Sequence, residues 1–212
     1  MFNECDCIIV LNGTLDEPNV LEHFAGIPII AADGAATKLT SIGITPDIIV
    51  GDMDSIVGNI ENCEVIKVSE QDTNDFEKCL RYAISCGHKS CFILGINGGQ
   101  YEHSLNNFSV AAKFGSKIKM CIYTDGRMGF FVYESIRIKL KIGEIVSLIP
   151  APKAEVSSKN LQWELSHYEL ILGKKEGARN RAIAEEVELT LHCGCYFLFI
   201  DAIFTPNNLS QQ

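Results

Sequence analysis

Two carboxylates, spaced by one residue, follow a glycine in Gly51-Asp52-Met53-Asp54-Ser55. In an extended segment, side chains two apart point the same way. Carboxylates that close repel unless a cation sits between them. Magnesium suits such a pair, because it takes hard oxygen ligands and keeps positions for water and phosphate. A solvated turn is the plain alternative for a bare D-x-D. Further along, Asp72-Thr73-Asn74-Asp75 opens a segment of helical spacing. Either Asp72 and Asp75 complement the helix dipole, at about 0.3–1 kcal/mol each, or one of them completes a metal site while helix N–H groups meet phosphate oxygens. Lys78, one turn in, either reaches a phosphate as a point charge or lies on the surface. Gly95-Ile96-Asn97-Gly98-Gly99 is a glycine-rich turn whose backbone can approach phosphates. Trp163, the only tryptophan, either packs in a core or offers a flat ring to a heteroaromatic ligand.

These residues need a scaffold, and the first two-thirds of the chain alternates strand-like and helix-like segments. Short apolar runs at Cys7–Leu11, Ile27–Ala32, Asp47–Val50, Glu64–Val68, Cys91–Leu94 and Ile118–Tyr123 read as strands, most of them apolar on both faces, as buried parallel strands are. Asn74–Cys86 and Ser104–Phe114 carry helical apolar stripes, each followed by a glycine stop; Asn74 and Glu77 fit a capping pair. Strand–helix alternation predicts a parallel sheet covered by helices. Asp33-Gly34, Gly51-Asp52, Gly95 to Gln100 and Asp125-Gly126 then share the C-terminal strand edge, where open α/β sheets bind ligands. After about Phe130 the pattern becomes strict alternation, as in Ile136–Ile142 and Val187–His192, with a further strand at Ile145–Ile149; this predicts a second, antiparallel β domain. The expected division is residues 1–130 and 131–212. The tail from Thr205 is polar and reads as frayed.

The chain has 212 residues, 18 basic and 27 acidic, for a formal net charge of -9. No long basic run favours a nucleic-acid partner, and an acidic protein that handles an anion must supply cations locally. No apolar run is long enough to cross a bilayer, and the N-terminus does not read as a signal peptide, so the expectation is a cytoplasmic protein with free thiols. Cys5/Cys7 and Cys193/Cys195, two C-x-C pairs on period-2 patterns, read as core thiols rather than zinc ligands. No G-x-x-x-x-G-K-[ST], G-x-G-x-x-G, H-E-x-x-H or G-x-S-x-G string occurs, which removes the commonest NTPase, dinucleotide, zinc-protease and hydrolase readings.

In order along the chain, Ala31-Ala32-Asp33-Gly34-Ala35-Ala36, Pro46 to Ser55, Asp72 to Lys78, Gly98 to Asn107 and Leu161-Gln162-Trp163-Glu164-Leu165 resemble five motifs of the thiamine pyrophosphokinases (thiamine diphosphokinases). The resemblance implies an α/β nucleotide-binding domain followed by a C-terminal antiparallel β-sandwich that binds thiamine and dimerises. It implies transfer of a diphosphoryl group from ATP to thiamine, giving thiamine diphosphate and AMP. It further implies a homodimer with active sites between subunits. Carried over by motif, Asp52, Asp54 and Asp75 are the catalytic magnesium-site residues. Asp33, Asp72, Thr73, Lys78, Gly99, Gln100, Glu102, His103 and Asn106 contact nucleotide or support the site. Trp163 stacks the thiamine pyrimidine and Asn180 hydrogen-bonds it.

Three positions depart from the family pattern. Gln100 stands where the family has arginine, which removes a bidentate phosphate donor. Glu102 stands for aspartate. Gly177-Ala178-Arg179-Asn180 stands for S-x-S-N. Arg179 or Arg127 is the candidate replacement for the missing positive charge. The competing readings are a weak or inactive thiamine- or nucleotide-binding homologue and a D-x-D metal-dependent nucleotide transferase.

Overall fold

The computed structural model describes residues 5–15, 17–54 and 62–201; Ser55 and the tail from Thr205 lie outside the described residues. The chain divides into two compact units, one ending at Asp125 and the other beginning at Gly126.

Among the described residues, the first unit holds six parallel strands: β1 (Cys7–Val10), β2 (Ile29–Ala32), β3 (Ile48–Gly51), β4 (Glu64–Lys67), β5 (Ser90–Leu94) and β6 (Lys119–Thr124). Their order is β6-β5-β1-β2-β3-β4. The chain steps outward from β1 to β4, returns to place β5 on the other side of β1, and steps out again to β6. The β1/β5 boundary is therefore the point where strand order reverses, the usual ligand crevice of an open α/β sheet. The inner strands are buried end to end, with Ile8, Ile9, Phe92 and Ile93 at most 1% exposed. β4 differs from its sequence reading: it is an edge strand, and Val65 is exposed. Cys7, Cys79, Cys91 and Cys121 lie in this core as free thiols. Burial pushes the Cys7 thiol up to about 12 and raises the other three as well.

Among the described residues, three α-helices accompany the sheet: α1 (Asp33–Ser41), α2 (Asp75–Ser85) and α3 (Tyr101–Phe114). α2 begins as its cap predicts, with Asn74 Oδ1 accepting from the Glu77 N–H at 2.9 Å. The reciprocal half of the capping pair does not form. Glu77 is buried and bonds Arg81 and Lys113 at 2.6 and 2.8 Å. α1 begins directly at Asp33-Gly34, where β2 ends. Its first turn, Asp33-Gly34-Ala35-Ala36, is wholly buried, so it lacks the wet face by which a helix is read from sequence.

The second unit is antiparallel: β7 (Arg127–Val132), β8 (Ile136–Lys139), β9 (Ile145–Lys159), β10 (Tyr168–Ile171), β11 (Gly177–Arg181) and β12 (Glu186–Asp201). β9 and β12 are long and pair along both halves. The first half of β12 also pairs β8, and its second half pairs β7. β10 and β11 pair opposite halves of β9. The change of partner falls at register shifts on either side of Cys193 and Gly194. Gly194 has φ +77°, and an added Cβ would stand 2.0 Å from the Lys153 carbonyl oxygen. Such bulges bend a strand and let it serve two layers. They also break the alternation on which the Cys193/Cys195 reading rested: Cys193 is exposed, not core.

Candidate active site

The carboxylates are placed by the ends of β2 and β3 and by the start of α2. Asp33 is 1% exposed. Its Oδ1 accepts from the Gly34 N–H at 2.6 Å and its Oδ2 from the Met53 N–H at 3.1 Å. β3 approaches so closely that a Cβ on Gly51 would stand 2.8 Å from the Asp33 carboxyl carbon. The D-x-D segment is not extended. Met53 has φ +75°, and the Asp54 N–H donates to Asp52 Oδ1 at 3.2 Å, as in an Asx turn. The side-by-side display expected of Asp52 and Asp54 is thereby corrected: Asp52 turns toward Gln71, whose amide donates to Oδ2 at 2.9 Å, and Asp54 is exposed.

Asp33 takes Asp54's expected place in the electrostatics. Burial, then the negative charge of Asp75, then a hydrogen bond to the Asp52 carboxyl hold Asp33 above the ordinary carboxylate range. The Gln71 amide, the Asp54 N–H, the Asp33 carboxyl and Lys78 hold Asp52 below it. The pair is thus pushed apart, Asp33 toward its neutral form and Asp52 toward its ionised form. Lys78 is not a surface lysine. It is 4% exposed, with Nζ 3.2 Å from Asp75 Oδ1. Among the described residues, no three or more His, Cys, Asp or Glu are already closed around one point. The donor set still fits a hard divalent cation: Asp33, Asp52 and Asp75 offer only oxygens, and the charges of Asp75 and Asp52 raise the cost of ionising Asp33.

Beside this cluster lies a cavity of about 430 Å³ at the β1/β5 switch point. Asn12 and Gly13 line it from the end of β1, Ile96 and Gly98 to Gln100 from the end of β5, Asn74 and Asp75 from α2, and His103 and Asn107 from α3. The two strand-end loops are stitched together: the Gly13 N–H donates to the Gly95 carbonyl at 3.0 Å and the Thr14 N–H to that of Asn97 at 2.7 Å. Gly98, at φ +113°, has no room for a Cβ against Thr14. A larger cavity of about 620 Å³ lies at the opposite strand edge, lined mainly by apolar groups such as Leu21, Phe24 and Ile44. None of the candidate site residues carried over by motif lines it.

Asp75, Gly99, Gln100 and His103 therefore line the cavity, with Asp33, Asp52 and Lys78 reached through Asp75. Asp72, Thr73, Glu102 and Asn106 do not line it. The Thr73 hydroxyl donates to Glu70, and Asp72, Glu102 and Asn106 are exposed. Gln100 Oε1 is 3.2 Å from His103 Nε2. Motif reading missed Asn107, whose Nδ2 donates to the Ile96 carbonyl and whose Oδ1 accepts from Asn74 Nδ2, both at 2.9 Å. Asn106 and Asn107 both lie about one turn beyond His103, so helical spacing does not separate them; the contacts with Asn74 and Ile96 do. Arg127 is not available as a replacement phosphate donor. Its guanidinium is engaged by Asp201 and by the Phe199 and Ile145 carbonyls.

In the β unit, Trp163 is 57% exposed, so it is not core. Asn180, which motif reading assigned to the ligand, is 6% exposed. Its Oδ1 accepts from the Trp163 and Arg181 N–H groups at 3.1 and 2.8 Å, and its Nδ2 donates to the Trp163 carbonyl at 2.7 Å.

Fold and site together define an open parallel α/β domain with an acidic cavity at its switch point, followed by an antiparallel β unit. Residues 26–124 match the family model for the thiamin pyrophosphokinase catalytic domain. The chain is similar to Thiamine pyrophosphokinase 1 of Oryza sativa subsp. japonica, 28% identical over 165 residues, 68% of this chain and 62% of that protein. Thiamine pyrophosphokinase 1 of Arabidopsis thaliana is 28% identical over 162 residues, 67% and 60% of the two chains. The chain thus spans about three-fifths of the length of these curated relatives. Among solved structures, yeast thiamin pyrophosphokinase superposes with a TM-score of 0.81 at 18% identity, covering 99% of this chain and 90% of that one. The Bacillus subtilis thiamine pyrophosphokinase gives 0.76 at 20% identity, covering 93% and 100%. These structures bear out the α/β-plus-β fold. The resemblance read from the five motifs is borne out too, by the match of residues 26–124 to the thiamin pyrophosphokinase catalytic-domain model.

Proposed function

We propose that this protein is a thiamine diphosphokinase, transferring the β,γ-diphosphoryl group of ATP to the hydroxyethyl group of thiamine with release of AMP. The observation that carries this reading is the cavity beside the aspartate cluster at the β1/β5 switch point, lined mostly by residues of the stretch that matches the catalytic-domain model. Attack of the thiamine hydroxyl oxygen on the β-phosphorus forms one P–O bond and breaks the bond to the α,β-bridging oxygen. Negative charge then grows on the AMP leaving group. Asp33, Asp52 and Asp75, with Asp54 at the turn, would hold Mg²⁺, which when bound neutralises charge on the phosphates. Lys78, paired with Asp75, helps hold Asp52 ionised and adds a fixed positive charge beside the cluster. The stitched loops of Asn12-Gly13 and Gly98-Gly99 leave room for the phosphate chain, with Gln100 and His103 at its rim. Asp72, Thr73, Glu102 and Asn106 act, in this reading, from outside the cavity.

Trp163 would offer its exposed ring to the thiamine pyrimidine. The fuller assembly we propose is a homodimer with active sites between subunits, the β unit carrying the thiamine and dimer contacts. The free thiols fit a reducing cytoplasm. Among the described residues, no helix is long and apolar enough to cross a membrane.

The test is purified protein with ATP, Mg²⁺ and thiamine, followed for AMP and thiamine diphosphate. Production of both in equal amounts is expected. Thiamine binding without AMP would instead identify a binding homologue, and turnover only with another acceptor would identify a different transferase.

A further inference from the structure

We infer that Asn180 is a positioning residue that sets the Trp163 ring, and through it the binding of the acceptor, rather than a ligand of the acceptor itself. This rests on the reading of Trp163 as the acceptor's platform. Trp163 follows Leu161, which bridges to Ala182, and the Gln162 N–H donates to the Arg181 carbonyl at 2.8 Å. The loop then leaves the sheet, and Trp163 is the first residue with no ladder partner for its N–H and C=O. Asn180 supplies both, accepting from the N–H at 3.1 Å and donating to the carbonyl at 2.7 Å. A carboxamide is the one uncharged side chain that matches a peptide group in this way.

Two further features fix the side chain. Its oxygen also accepts from the Arg181 N–H at 2.8 Å, which fills both lone pairs. The residue before it, Arg179, has φ +61°, and β11 shifts register against β9 between Gly177 and Asn180. That shift turns Asn180 inward, to 6% exposure, while Trp163 remains 57% exposed. With its oxygen saturated, Asn180 retains a single N–H for any other partner. Its effect on a ligand therefore passes mainly through the orientation of the indole.

Because Trp163 is the only tryptophan, its fluorescence reports this clamp directly. In Asn180→Ala, the emission is expected to move to longer wavelength with lower anisotropy, and the KM for thiamine to rise about three- to tenfold, with kcat and the KM for ATP within about twofold of wild type. Asn180→Asp keeps the two acceptor bonds and loses the donor, so both readouts should fall between wild type and alanine. In the Trp163→Ala background, Asn180→Ala should add nothing further to the thiamine KM, since a residue acting through the ring has nothing left to act on. Unchanged emission in the folded Asn180→Ala protein would overturn the inference. So would a full additional KM increase in the double variant, which marks direct contact. If Trp163→Ala alone leaves the thiamine KM unchanged, the platform reading fails instead, while the fluorescence test of the clamp still stands by itself.

Discussion

In the α/β unit, Asp33, Asp52 and Asp75 stand within reach of one another's charge, and the buried Lys78 answers only part of it. In the β unit, Asn180 answers both backbone groups of Trp163 and leaves the indole to solvent. The sequence shows the same division, since the acidic surplus falls before Gly126 and the β unit is charge-balanced. The first arrangement lowers its energy when a cation enters, whereas the second is already satisfied and presents a fixed shape. A site for a polyanion needs the former, because the ligand and its metal complete the charge balance. A site for a flat heterocycle needs the latter, because a preorganised surface loses little entropy on binding.

The largest expected effect comes from the side that is electrostatically incomplete. Asp52→Asn should lower turnover on the order of a hundredfold or more while circular dichroism stays that of wild type. Turnover within a few-fold of wild type would remove Asp52 from the reacting centre. Asp54→Asn should follow it if the exposed Asp54 swings in with the cation; full activity would leave the cation to Asp33, Asp52 and Asp75.

Trp163→Ala tests the satisfied side. It should raise the thiamine KM about tenfold, with little change for ATP, and equal effects on both substrates would reduce the ring to a packing role. Asn107→Ala should act on the other ligand alone. Losing its bonds to Asn74 and the Ile96 carbonyl should raise the KM for ATP about three- to tenfold and leave thiamine unaffected.

The smallest effect qualifies the contrast, because the β unit has one strained carboxyl of its own. Glu144 is buried, its Oε1 has no partner among the described residues, and its Oε2 accepts from the Lys141 N–H at 2.9 Å. Burial and then the negative charge of Asp201 hold its carboxyl above the ordinary range. A group whose folded pKa is raised contributes its full stability below the unfolded value and loses it as pH rises through the folded one. The melting temperature of wild type relative to Glu144→Gln should therefore fall as pH rises across and just above the carboxylate range, then level off. A difference that is flat with pH would show that Glu144 does not ionise differently on folding.

Local patterns were enough for much of this architecture. Six short apolar runs, two striped helices and the switch to period-two alternation foretold the parallel unit, α2, α3 and the antiparallel unit, because burial on one or both faces leaves a direct mark on residue order. α1 left no such mark, since its small buried residues lack a wet face. The full lengths of β9 and β12 were also hidden, because bulges and prolines break the period that reveals a strand. The motifs named Asp33, Asp52, Asp75, Lys78 and Trp163 by type and order.

Residue order alone determined that the chain carries a carboxylate-rich, glycine-lined edge and a lone tryptophan in a separate β segment. Only the tertiary structure decided which of those groups meet. It turned Asp54 outward on a left-handed Met53, brought the buried Asp33 against Asp52, sank Lys78 beside Asp75, chose Asn107 over Asn106, and engaged Asn180 with the backbone of Trp163. Each of these depends on a turn's hand, a bulge or the approach of a distant strand end. Such contacts join residues far apart in the chain, and spacing along the sequence carries no record of them.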